Sequence, residues 1–200
     1  MTDLTPISWD AATWLRPPVS TREDGTDLLV TAEEGSDFWQ RTSYGFRRHS
    51  GHALLVDLPV GSAVEVGFVL DYTEQYDQAG VLVLVDEDTW VKAGVENTMG
   101  QPQLGAVVTR EWSDWSLAAV PEWFGRSVSV RASRMTDAVV VRARVDMEPW
   151  RLVRLAPLPE HAAAVAGPYL CAPERAGLEV RFTRFVRGAA DRGLYEGPVD

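Results

Sequence analysis

Apolar and polar residues alternate with a period of two over much of the chain, most clearly in QAGVLVLVDEDTWVKAGVE at residues 78–96. Successive side chains of a strand point to opposite faces. The run therefore predicts a β-hairpin, with one arm over 78–86, a polar turn at Glu87 and Asp88, and a second arm over 89–97. In the second arm Val91, Ala93 and Val95 share a core face. Trp90, Lys92, Gly94 and Glu96 share the other, which sets a ring, a cation, a bare backbone and a carboxylate in one row. That row is the candidate working surface.

The same period runs through 62–72, where Val64, Val66, Phe68 and Leu70 oppose Glu65, Gly67, Val69 and Asp71. Further strands are predicted over 27–31, 38–41, 53–58, 103–109, 111–119, 127–133, 138–145, 150–155 and 178–186. Residues 4–22 divide into a short strand, a linker and a second strand. Turn residues separate these runs, among them Asp24-Gly25, Ser43 to Gly45, and Pro59 with Gly61. The Ala-rich stretch 157–166 admits a turn of helix, hemmed in by Pro159 and by Gly167-Pro168, which starts a strand. In the closing strand Leu178, Val180, Phe182 and Arg184 fall on one face. About a dozen short, evenly spaced strands with almost no helical period indicate an all-β, antiparallel two-sheet sandwich or jelly roll, with a closed barrel as the alternative. No repeat and no linker interrupts the pattern. A single domain is expected over 5–187, followed by a polar, fraying tail over 188–200.

Composition narrows the function. A hydrophobic fraction of 46% over 200 residues supports a core. A formal charge of −10 disfavours nucleic acid and anionic membrane surfaces as partners, since both are bound through Lys and Arg. The start MTDLTPISWD lacks the marks of a signal peptide, and no apolar run is long enough to span a membrane. Cys171 is the only cysteine, so no internal disulfide forms and a cytoplasmic compartment is expected. Of the eight tryptophans most should fill the core, while a few are available to line a cleft.

The segments YDQAGVLVLVDEDTWVKAGVE (76–96), SDWS (113–116), GPYLCAPE (167–174) and LEVRFTRF (178–185) together resemble the regulation-of-enolase-protein family, the bacterial domain-of-unknown-function 1349 family. The resemblance spans about residues 5–187. It implies a concanavalin A-like jelly roll, with one concave sheet, of the lectin/glucanase superfamily. It implies little chemistry, because that superfamily holds lectins, glycosidases and plain binding domains.

The candidate ligand-binding residues are Trp90, Lys92, Glu96, Gln78, Trp112 and Trp115. Lys92 and Glu96 lie four residues apart on one face, roughly 13 Å between Cα atoms, far enough to grip two ends of a small polar ligand. Trp90 would stack, and Trp112 or Trp115 would wall the cleft. The alternative is a solvated strand face with cross-strand ion pairs, and tryptophans that only pack. If the pair serves binding, Lys92→Ala and Glu96→Ala leave stability nearly unchanged. Asp86 and Asp88 have the i, i+2 spacing of a glycosidase carboxylate pair but flank a turn, which they are expected to shape. Asp71, Glu74 and Asp77 form an acidic loop matching no defined Ca²⁺ pattern. His49, His52 and His161 with one distant Cys do not make a zinc motif. No metal, cofactor or catalytic residue is assigned. The first expectation is a non-catalytic binding domain for a small polar ligand, a carbohydrate or sugar-derived metabolite where the superfamily is followed. A second is a glycoside hydrolase using Glu96 with a cross-strand carboxylate. A third is a regulatory module contacting a metabolic enzyme, with the Trp123-Phe124 loop as the candidate contact.

Overall fold

The structure, a computed structural model, describes residues 4–198. The first three residues of the chain and the last two of the expected tail lie outside the described residues. In chain order the strands are β1 (Thr5–Pro6), β2 (Thr13–Trp14), β3 (Ser20–Asp24), β4 (Asp27–Thr31), β5 (Phe38–Gln40), β6 (Arg47–His49), β7 (His52–Asp57), β8 (Ser62–Val69), β9 (Gln78–Asp86), β10 (Thr89–Thr98), β11 (Gln101–Arg110), β12 (Trp112–Ala119), β13 (Ser127–Arg134), β14 (Ala138–Val145), β15 (Arg151–Pro157), β16 (Val165–Cys171) and β17 (Glu179–Ala189). All but β5 and β6, which pair as a separate hairpin, build two antiparallel sheets. One runs β15-β14-β13-β8-β17-β4-β3, with β1 beside β17, and the other runs β12-β11-β10-β9-β16-β7-β2. Both sheets keep free edges, so the molecule is a sandwich and not a closed barrel.

The alternation in the sequence sets the packing. Val64, Val66 and Phe68 of β8 and Val139, Val141 and Ala143 of β14 meet Val81 and Val83 of β9 and Val91, Ala93 and Val95 of β10 in one core. The central hairpin forms as expected, with Asp86 accepting a hydrogen bond at 2.9 Å from the Asp88 backbone N–H across its turn.

Three segments depart from the sequence expectation. Residues 165–171 form an interior strand instead of following a helical turn. Proline cannot donate to a ladder, and here the pairing of β16 with β7 skips Gly167 and Pro168, continuing at Tyr169 with Ala53. In β17 the register shifts between Phe182 and Arg184. Such a bulge moves the following residues to the other face. Phe185 therefore joins the core, while Arg184 turns outward and donates to Glu65 at 2.7 Å. Finally, the tail does not simply fray. Residues 188 and 189 belong to β17, and buried Asp191 accepts from Arg131 at 3.0 Å and Arg142 at 2.9 Å on the outer face of the eight-stranded sheet.

Candidate functional site

The outer face of the seven-stranded sheet carries the site. Four rungs cross it. The Trp90 rung includes Leu84, Thr109 and Ser113; the Lys92 rung includes Leu82, Val107 and Trp115. The next rung joins Tyr169, Gly80, Gly94, Gly105 and Leu117, and the last joins Cys171, Gln78, Glu96 and Gln103. The glycine rung is a row where the strand backbones approach too closely for side chains. A Cβ on Gly94 would stand 2.0 Å from the Ala79 carbonyl oxygen, and one on Gly80 2.1 Å from that of Ala93.

The short hairpin β5–β6 lies over part of this face. Phe38 is fully buried between Trp90, at 5.8 Å between ring centroids, and Tyr169, at 6.4 Å. Burying such a ring is worth about 2–3 kcal/mol. The Gln40 backbone N–H donates to Ser113 Oγ at 2.9 Å, and Arg47 pairs with Asp88 at 3.0 Å. These anchors hold the hairpin beside the sheet and leave a cleft of about 270 Å³. Its walls are Trp39, Tyr44, Phe46, Trp115 and Tyr76, with Asp37, Arg48, Gln78, Lys92, Glu96 and Glu174 as polar groups. Trp39 meets Trp115 edge-on at 5.9 Å, and Tyr44 stacks on Phe46 at 5.5 Å.

Four of the six expected residues, Gln78, Lys92, Glu96 and Trp115, line this cleft. Two do not. Trp90 is 1% exposed and sits beneath Phe38 in a second apolar cluster, so its ring is not available for stacking on a ligand. Trp112 lies outside the cleft with Arg41 over its ring at 5.6 Å, because it alternates with Ser113 and Trp115 along β12.

Lys92 and Glu96 differ sharply in their surroundings. Lys92 is buried, and its Nζ donates to Gln78 Oε1 at 2.7 Å and to Asp37 Oδ1 at 3.2 Å. Burial is the largest single influence and pulls its pKa down, but Asp37 first, with Cys171 and Glu96 adding, together outweigh it and hold it above the ordinary lysine value. Asp37 is itself fixed, accepting the Phe38 N–H on Oδ1 and receiving Ser50 and Gly51 N–H groups on its carbonyl. Glu96 has no hydrogen bond to its side chain among the described residues. Burial pushes its carboxyl up to about 7, with Lys92 pulling down and Asp37 pushing up. Across from it stand two amides, Gln78 on β9 and Gln103 on β11, so no cross-strand carboxylate faces Glu96.

The cleft also contains residues that sequence reasoning missed: Asp37, Trp39, Tyr44, Phe46, Arg48, Tyr76 and Glu174. The available signal was FWQRTSYGFRR, a run dense in rings and arginines around a glycine break. Elsewhere the expected groups serve structure. His52 accepts the Glu33 N–H on Nε2 at 3.0 Å while its Nδ1 faces the Arg16 carbonyl at 3.2 Å, and burial lowers its pKa. Asp77 is buried against Arg175 at 2.8 Å. Of the Trp123-Phe124 pair, Trp123 is buried under Arg151 and only Phe124 is exposed. Among the described residues no group of three or more His, Cys, Asp or Glu side chains is placed to hold a metal ion.

The family described as "Protein of unknown function (DUF1349)" matches residues 14–188. The chain belongs to the DUF1349 family. This DUF1349 chain is 37% identical over 173 residues to "Regulation of enolase protein 1" of Saccharomyces cerevisiae, covering 86% of this chain and 87% of the yeast protein. It is also similar to the crystal structure of a functionally unknown protein from Saccharomyces cerevisiae, with a TM-score of 0.85 and 35% identity over 92% of this chain and 98% of that one. A xylan β-1,4-xylosidase from Bacillus halodurans C-125 matches at TM-score 0.70 with 14% identity. There the DUF1349 chain is covered to 94% but spans only 39% of the xylosidase, and at that identity the likeness shows the fold alone.

Proposed function

We propose that this chain is a non-catalytic binding domain of concanavalin A-like jelly-roll type, holding a carbohydrate or sugar-derived metabolite on the outer face of its seven-stranded sheet. The observation that carries this reading is the cleft of about 270 Å³, in which Trp39, Tyr44, Phe46 and Trp115 surround the undonated carboxylate of Glu96. Aromatic faces match the apolar faces of sugar rings, and a few placed polar groups fix orientation. Lys92 acts in this reading as a post that holds Asp37 and Gln78 in place.

The hydrolase reading is weaker. Glycoside hydrolysis uses two carboxyls flanking the scissile bond, and both positions opposite Glu96 are glutamines. The name of the yeast relative concerns enolase regulation, and a role of that kind here is the alternative outcome of the test.

The test is a thermal-shift and calorimetry screen with neutral mono- and oligosaccharides, xylobiose included because one fold neighbour is a xylosidase. A ligand of the folded state raises the melting temperature with its concentration. Trp115 is 37% exposed and partly lines the cleft. Trp115→Ala should weaken sugar binding about tenfold while costing less than about 1 kcal/mol of stability. No binding of any sugar at millimolar concentration rejects the reading, and a pull-down against metabolic enzymes follows.

A further inference from the structure

The charges around Glu96 narrow the class of ligand. Lys92, on the same strand, faces it electrostatically but directs two of its three N–H donors to Asp37 and Gln78. Gln78 has turned its amide to the Tyr76 carbonyl, at 3.1 Å. Asp37 comes from the loop before the β5–β6 hairpin and is matched by Lys92. Cys171 and Tyr169 on β16 lie on the same face as Glu96, Tyr72 before β9 feels its charge from the core side, and burial raises the pKa of each so that all three stay neutral at pH 7. Arg48 and Glu174, of opposite sign, complete the charged lining, with Tyr76 beside them. Arg48 stacks over Phe46 at 4.9 Å. Glu96 is thus a half-buried acceptor to which no described residue donates, in a cleft whose deep cation is already neutralised.

We propose that Glu96 determines specificity: its carboxylate accepts hydroxyl hydrogens from an uncharged sugar unit and selects against phosphorylated sugars. The proposal rests on the carbohydrate-binding reading above. A hydroxyl gives the carboxylate a charge-assisted hydrogen bond in a site of low local dielectric. A phosphate brings only acceptors and negative charge, and like charges facing each other across a contact oppose binding. Hydroxyl donation favours the ionised carboxylate, so the sugar displaces the proton that Glu96 retains near neutral pH. Apparent affinity then scales with the ionised fraction.

Titration calorimetry on the full chain tests this with glucose, cellobiose and xylobiose, with glucose 6-phosphate as the charged probe. A neutral sugar should bind about tenfold more tightly at pH 8 than at pH 6, given the carboxyl near 7. Glucose 6-phosphate should bind at least tenfold more weakly than glucose. Glu96→Gln should weaken the neutral sugar about tenfold and abolish the pH dependence, and Glu96→Asp, which keeps the charge, should retain the dependence at reduced affinity. Glucose 6-phosphate binding as tightly as glucose, or Glu96→Gln with unchanged affinity and pH profile, overturns the specificity proposal and leaves the carbohydrate reading standing. Absence of binding by every neutral sugar overturns both.

Discussion

At the scale of single residues, Lys92 and Glu96 show that a shared strand face does not mean a shared role. Lys92 is 4% exposed and tied to Asp37 and Gln78, so removing it strands a carboxylate. Breaking a buried pair from one side costs roughly 3–5 kcal/mol. Lys92→Met should therefore lose about 3 kcal/mol in urea denaturation, the low end because Asp37 keeps some solvent contact. A loss below about 1 kcal/mol would mean that the pair contributes little to the fold. Glu96 has the opposite sign. Its folded pKa is raised from 4.5 to about 7, so between those values the folded chain keeps a proton that the unfolded chain has released. Stability is full below pH 4.5 and falls as pH rises through 7, by about 3 kcal/mol if the whole shift is expressed. Glu96→Gln should flatten this component and be more stable than the parent at pH 8 but not at pH 5. Equal pH dependence in the two proteins would show that Glu96 does not titrate in this window.

At the scale of elements, the glycine rung decides how closely strands meet beneath the cleft. Gly94→Ala places a Cβ 2.0 Å from the Ala79 carbonyl oxygen, and backbone cannot move aside as a side-chain tip can. A loss of about 2–3 kcal/mol is expected, of the order of overpacking in a core, read as a lowered urea midpoint. The β9–β10 hairpin and its two faces were legible because one buried face and one distinct face impose a period of two. The same logic placed β5 within 38–41 but gave it no partner, because Arg47, Arg48 and His49 of β6 carry no alternation of apolar and polar residues. It started β16 at Gly167-Pro168, which in fact lie inside the strand, a break tolerated since the ladder to β7 lapses there. The cleft was therefore half visible. Lys92, Glu96, Gln78 and Trp115 follow from strand periodicity, whereas Asp37, Tyr44 and Arg48 lie 55 to 44 residues before Lys92 and arrive through a hairpin whose second strand no apolar alternation announces.

At the scale of the whole molecule, each sheet has an outer face that needs cover, and the two are covered differently. The seven-stranded sheet receives the β5–β6 hairpin, which leaves a cleft. The eight-stranded sheet exposes a row in which Glu65, Arg131 and Arg142 stand side by side, and the chain beyond β17 closes over it. Arg131 donates to the Ala189 carbonyl at 2.6 Å and Arg142 to that of Leu194 at 2.5 Å, while the Asp191 N–H meets Ser133 Oγ at 2.7 Å. Asp191 supplies the counter-charge to two buried guanidiniums in a protein whose formal charge is −10, so its removal is not a surface change. Charges buried without a partner cost several kcal/mol. Truncation after Ala189, or Asp191→Ala, should therefore destabilise the fold by about 3–5 kcal/mol. Because this strap and the cleft occupy opposite outer faces, the variant protein that remains folded should bind a neutral sugar as the parent does. Urea denaturation and calorimetry on the same preparation separate the two expectations: a truncation that costs no stability removes the strap's structural role, and one that abolishes sugar binding in folded protein shows that the two faces are coupled through the core.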